Sequence, residues 1–172
     1  MGRVVSLNEL TRIRAEMRAQ GQRLVFTNGC FDLLHRGHVA YLQAAQGQGQ
    51  ALVVGLNSDA SARAIKGPGR PLVPQEDRAA VLAALACVDY VIVFDEPTAE
   101  RLVATLQPDV YVKGGDYAQS RGAATSKPLP EADVVRTYGG DVVLLPYLTG
   151  YSTTAFIETI LARYVTLSGQ TM

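Results

Sequence analysis

The chain has 172 residues, 48% apolar and 19% charged, a composition that supports one compact domain with a real core and excludes global disorder. Sixteen basic and sixteen acidic side chains cancel, which excludes the broad positive field needed for non-specific nucleic-acid binding, so any anion site must be local. Cys30 and Cys87 make no CxxC or zinc spacing, and no stretch reads as a signal peptide or a membrane span, so a cytoplasmic protein without membrane or nucleic-acid partners is expected.

In chain order, Ser6 and Glu9 fit a capping box, and Leu7, Leu10, Ile13 and Met17 keep helical spacing up to Gly21; residues 1–21 read as a helix ahead of the main domain. Arg23 to Thr27 reads as a strand broken by the turn-forming pair Asn28-Gly29. A helix over 37–46, carrying Val39, Leu42 and Ala45, leads to the apolar strand Ala51 to Leu56. Then come a helix over 59–65, a polar loop through Pro74, a helix over 75–86 and the strand Tyr90 to Phe94. A helix over 98–106 and the strand Val110 to Lys113 precede an irregular stretch, Ala118 to Pro130. The chain closes with a helix over 132–138, the strand Val142 to Pro146, a helix over 152–164 and a tail over 165–172. Strands apolar on both faces, alternating with helices, predict an α/β domain over 22–164 with a Rossmann-like, doubly wound, five-stranded parallel sheet. Ligands of such sheets bind beyond the carboxyl ends of the strands, where the strand order reverses.

The segment after the first of these strands, Thr27-Asn28-Gly29-Cys30-Phe31-Asp32-Leu33-Leu34-His35-Arg36-Gly37-His38, holds both histidines of the chain. Gly29 permits close backbone approach, and Gly37 at a helix start leaves amides and the positive helix end open to phosphate. His35 and His38, three apart, can turn their rings to one side and donate to one phosphate. Transfer of a nucleotide from a triphosphate builds negative charge on the α-phosphoryl oxygens and the leaving pyrophosphate, so fixed donors are what such a reaction needs.

This segment resembles the HxGH signature of the cytidylyltransferase-like nucleotidyltransferase superfamily, and is most similar to the adenylyltransferase domain that makes ADP-heptose for lipopolysaccharide precursors. The likeness runs through Gly55 to Asp59, Lys66 to Pro71, Glu76-Asp77-Arg78, Lys113 to Tyr117 and Gly150 to Thr154, about residues 22 to 163. It implies ATP and a sugar 1-phosphate, D-glycero-β-D-manno-heptose 1-phosphate, as substrates, with Mg2+ on the triphosphate. Since only a short helix precedes the domain, the resemblance points to a stand-alone form served by a separate sugar kinase; such compact enzymes are often homodimers. It places His35, His38 and Lys66 in catalysis. Thr27, Asn28, Gly29, Cys30, Phe31 and Gly37 fall around the nucleotide with Ser152, Thr153 and Thr154. Cys30 enters as a small turn residue with no task for its thiol, and Cys87 reads as core.

Lys66, Arg70 and Arg78 surround a Gly- and Pro-containing loop that can bring cations over phosphate, and by resemblance Lys66 and Arg70 lie nearest it. Asp32, Lys113, Gly114 and Asp116 are the remaining candidates for phosphate or substrate contact; the glycines give backbone access and the carboxylates accept from hydroxyls. Ser152 to Thr154 after Gly150 opens the last helix with hydroxyls and free amides, a second phosphate cradle. Related glycerol-phosphate cytidylyltransferases carry an arginine shortly before this cluster where this chain has Tyr147-Leu148-Thr149, which counts against carrying over their triphosphate contacts. Two alternatives stay open on the residues alone: a cytidylyltransferase acting on glycerol 3-phosphate or a related phosphorylated alcohol, and a non-catalytic nucleotide-binding module.

Overall fold

The computed structural model describes residues 1–114, 129–146 and 148–168, with side chains up to residue 164. Its elements are β1 (Arg3–Val4), α1 (Leu7–Ala19), β2 (Leu24–Gly29), α2 (Arg36–Gln46), β3 (Ala51–Asn57), α3 (Asp59–Lys66), α4 (Gln75–Ala84) and β4 (Tyr90–Phe94). They continue as α5 (Glu100–Leu106), β5 (Val110–Gly114), α6 (Pro130–Thr137), β6 (Asp141–Leu145) and α7 (Thr153–Ser168). The strands form one parallel sheet in the order β1-β4-β3-β2-β5-β6.

The sheet thus has six strands rather than the five expected. The extra one, β1, pairs Arg3 with Tyr90 and Val4 with Val91. Two exposed residues offer no period to read, so only the tertiary pairing reveals this strand. The segment 1–21, read as lying ahead of the domain, is built into it: β1 extends the sheet, and Leu10, Ile13 and Met17 of α1 enter the core. The predicted cap is present, with Ser6 Oγ accepting from Glu9 N at 3.2 Å, while the Glu9 carboxylate turns to Arg3 at 3.0 Å.

Two apolar layers sandwich the sheet, as burial on both strand faces requires. One gathers Leu10 and Ile13 of α1, Leu102, Val103 and Leu106 of α5, and Val135 of α6 against Phe26, Val53 and Tyr111. The other gathers Tyr41 and Leu42 of α2 with Ala79, Leu82 and Ala83 of α4 against Val25, Leu52, Val54 and Val112. Every residue of β3 is buried. From β2 the chain winds outward through β3 to β4, then crosses back to β5 on the other side, so the order reverses between β2 and β5. The carboxyl ends of these two strands are where a ligand crevice belongs. Against expectation, Asn28-Gly29 does not break β2: Asn28 pairs with Gly55 and Gly29 with Leu56. The break falls at Phe31, which takes the left-handed φ of 44°.

Candidate active site

The loop after β2 is latched from below by Asp32. This carboxylate, 4% exposed, accepts from Leu72 N at 2.8 Å, Val73 N at 2.9 Å and Arg70 Nε at 2.5 Å. Burial acts to raise its pKa, but the two amides and the Arg70 guanidinium outweigh that and hold the carboxyl below its ordinary value. Asp32 and Arg70, both expected at the substrate, tie the loop 67–73 to the motif.

Beyond the latch, His35 is the N-cap of α2. Its Nδ1 accepts from His38 N at 3.4 Å, a long bond reinforced by His38 N donating to His35 O at 2.9 Å. That role for Nδ1 puts the proton of a neutral His35 ring on Nε2. One turn on, the His38 ring lies against the His35 ring, centroids 3.9 Å apart and 19° from parallel. Phe31 meets His38 edge-on at 5.4 Å, and Phe156 of α7 stacks on His35 at 5.7 Å and 5°. Four rings in a row fix the orientation of both imidazoles.

Electrostatics follow from this packing. Burial, then the neighbouring His35, pushes the His38 pKa down to about 4, and burial also lowers that of His35 against the pull of its own backbone. Both imidazoles are therefore neutral at neutral pH, donors by a single N–H rather than cations. His38 Nδ1 is buried with no hydrogen-bond partner among the described residues, which singles out this ring, because buried nitrogens are normally paired.

A second helix mouth meets the first. A Cβ on Gly37 would lie 2.8 Å from Tyr151 Cβ and 3.0 Å from the His35 ring, so only glycine lets the start of α7 dock on the start of α2. Ser152 Oγ caps α7 by accepting from Ala155 N at 3.0 Å, with Thr153 and Thr154 following in its first turn. Two positive helix ends thus converge beside the imidazole pair.

The floor of the crevice is polar. Asn28 Oδ1 accepts from Tyr111 OH at 2.9 Å and from Lys113 Nζ at 3.0 Å, and Lys113 also donates to Asn28 O at 3.2 Å. Burial leads in lowering the Lys113 pKa. Gly114, buried, ends β5 beside it.

Other sequence candidates fall differently. Arg78 was expected near phosphate, but its guanidinium, 0% exposed, donates to Val73 O, Cys30 O, Asn57 O and Asp59 Oδ1. That correction has a plain cause: a buried guanidinium must satisfy its donors internally, and here it braces the strand ends. Thr27, 0% exposed, spends its hydroxyl on Tyr41 at 2.7 Å, while Tyr41 OH reaches Val112 O at 3.1 Å, a brace beneath the site. Cys30 is half-buried, its thiol pKa raised by burial. Lys66, at the end of α3, is exposed and its loop reaches the motif through Arg70. Asp116 lies outside the described residues. Sequence reading missed Tyr151, Phe156 and Glu131, whose roles come from contacts across 100 residues or more; the aromatic pair around Ser152 was the one available signal.

Residues 26–159 match the cytidylyltransferase-like family. The chain is 54% identical over 162 residues to a protein of Geobacter sulfurreducens named Bifunctional protein HldE, covering 94% of this chain and 32% of that protein. It is 55% identical over 147 residues to the protein of the same name from Syntrophotalea carbinolica, covering 86% of this chain and 29% of that protein. The chain therefore spans about a third of the length of these curated relatives. Among solved structures, the lipopolysaccharide core biosynthesis protein of Thermoplasma volcanium is similar at 27% identity with a TM-score of 0.58, covering 77% of this chain and all of that one.

Proposed function

Because this chain belongs to the cytidylyltransferase-like family, we propose that it is an adenylyltransferase converting ATP and D-glycero-β-D-manno-heptose 1-phosphate to ADP-heptose and pyrophosphate. The observation that carries the reading is the convergence of two helix mouths at Gly37 and Tyr151 beside two stacked, neutral imidazoles. The motifs shared with ADP-heptose-forming domains, and the likeness to a lipopolysaccharide core biosynthesis protein, support the choice of acceptor.

In this reading a phosphate oxygen of the sugar phosphate attacks the α-phosphorus of ATP in line. The bond from that phosphorus to the bridging oxygen breaks, and pyrophosphate leaves with the electron pair. No proton has to move. His35 Nε2–H and the His38 ring donate to the α-phosphoryl oxygens as charge grows there, the start of α7 holds the triphosphate tail, and Lys66 and Arg70 supply positive charge. Mg2+ carried on the triphosphate would supply neutralising charge to the departing pyrophosphate.

A sugar kinase upstream is the proposed source of the acceptor. No helix among the described residues is long and apolar enough to cross a membrane, and the proposed location is the cytoplasm. A homodimer through α7 belongs to the same reading, supported by exposed Ile160, Leu161 and Tyr164 on that helix; sedimentation showing only monomer at micromolar protein rejects it. The activity is tested by pyrophosphate release from ATP, Mg2+ and the heptose 1-phosphate. Turnover of CTP with glycerol 3-phosphate in its place contradicts the adenylyl reading, and nucleotide binding without any turnover makes the chain a binding module.

A further inference from the structure

Glu131, in the first turn of α6, is a carboxylate with only 4% of its surface exposed. One of its oxygens, Oε1, accepts from Ala99 N at 2.9 Å and from Asn28 Nδ2 at 3.4 Å. The other end of the same Asn28 amide accepts from Lys113 Nζ and Tyr111 OH. The side chain of Asn28 is therefore threaded between a buried acid and a buried base, its N–H toward one and its C=O toward the other. Turning the amide over would set Oδ1 against the carboxylate and NH2 against the ammonium, so the two charges permit a single orientation.

We propose that Glu131 is a positioning residue that fixes the Asn28 amide and keeps a positive charge on Lys113 at the crevice floor for the phosphate of an incoming substrate. The inference rests on the nucleotidyl-transfer reading for its purpose, though not for its electrostatics. Groups on each neighbouring element bear on Lys113. Burial acts to neutralise it, Glu131 of α6 and Cys30 after β2 act to keep it charged, Lys66 of α3 acts with burial, and Tyr111 of β5 shares its acceptor. Among the described residues Glu131 is the strongest influence favouring the charged form. Burial this deep favours loss of the proton, and a carboxylate close by opposes that loss.

The chain has three lysines, Lys66, Lys113 and Lys127, so protein labelled with 13C at lysine Cε gives three titrating signals, and Lys113→Met identifies one by its loss. Glu131→Gln keeps an acceptor for Ala99 and Asn28 but removes the charge. The Lys113 midpoint is expected to fall by about one pH unit in that variant. The alkaline limb of kcat/KM is expected to move down with it, and Glu131→Gln should add no further loss in a Lys113→Met background. An unchanged midpoint, or additive losses, overturns the proposal. Glu131→Asp retains the charge and is expected to keep the wild-type midpoint; a fall of about one pH unit there overturns the charge role, whether or not the glutamine variant folds. Should the wild-type protein transfer no nucleotide, the nucleotidyl reading falls, while the lysine titration, which needs no turnover, still decides the coupling.

Discussion

The two ends of the sheet treat polar groups in opposite ways. At the amino ends of the strands Arg14, Asp109 and Asp89 have protein partners, although Tyr138 OH is buried there with no hydrogen-bond partner among the described residues. Arg14, 4% exposed, grips Asp109 with two nitrogens at 2.8 and 2.9 Å and donates to Leu106 O and Gln107 O. Asp109 also accepts from Leu24 N at 2.7 Å, and Asp89 accepts from Leu52 N at 2.8 Å, so each carboxylate caps an amide at the start of a neighbouring strand. At the carboxyl ends two helix mouths face one another, and His38 Nδ1 is buried with no hydrogen-bond partner among the described residues. The difference teaches where stability is stored and where binding capacity is kept: paired charges tie the strands together at one end, and facing helix mouths leave amides for an anion at the other.

His38→Ala should give the sharpest separation of the two ends. A fixed donor to a developing oxyanion is worth about 3–4 kcal/mol, so kcat is expected to fall two to three orders of magnitude with the thermal midpoint nearly unchanged. Near-normal turnover in that variant removes the histidine from the mechanism. Arg14→Ala should do the reverse. It strands Asp109 at the strand ends, and the 34% exposure of that carboxylate keeps the cost near the lower end for a broken buried pair, about 3 kcal/mol. Urea unfolding measures it; a folded Arg14→Ala protein whose kcat is also reduced tenfold breaks the independence of the two ends.

Gly37→Ala probes the junction of the helix mouths. The new methyl must displace Tyr151 or the His35 ring, at an overpacking cost of about 2 kcal/mol, and kcat/KM is expected to drop about tenfold or more as α7 shifts. Wild-type kinetics in this variant means the start of α7 does not touch the nucleotide. The smallest expected effect is in pH. His38 titrates at about 4 in the fold and near 6.5 unfolded, so the unfolded chain takes up the proton first on acidification. Its contribution to stability is complete above 6.5 and is lost as the pH falls from there to about 4, on the order of 1–2 kcal/mol once the partial exposure of the ring is discounted. His38→Ala should flatten that part of the stability profile, and a profile identical to wild type places the ring in water rather than in the stack.

Much of the site was legible in order along the chain. Apolar runs located β2, β3, β4 and β5, the Ser6–Glu9 spacing located the start of α1, and the His35–Gly37–His38 spacing located the imidazole pair. What escaped was set by partners distant in sequence. Arg78 reads as a free cation until Cys30, Asn57, Val73 and Asp59 close around it. Glu131 carries no local sign of the Asn28 amide 103 residues away.

By itself, then, the sequence determined the alternation of strand and helix, the layers that bury them, and which loop carries the histidines, because periodicity, capping and turn chemistry act over a few residues. Only the tertiary structure decided that β1 joins the sheet edge, that α7 closes on Gly37, and which of the cations and carboxylates stay open to a ligand. Whether a charge is available depends on its burial and its partners, and both come from segments that the fold, not the chain order, brings together.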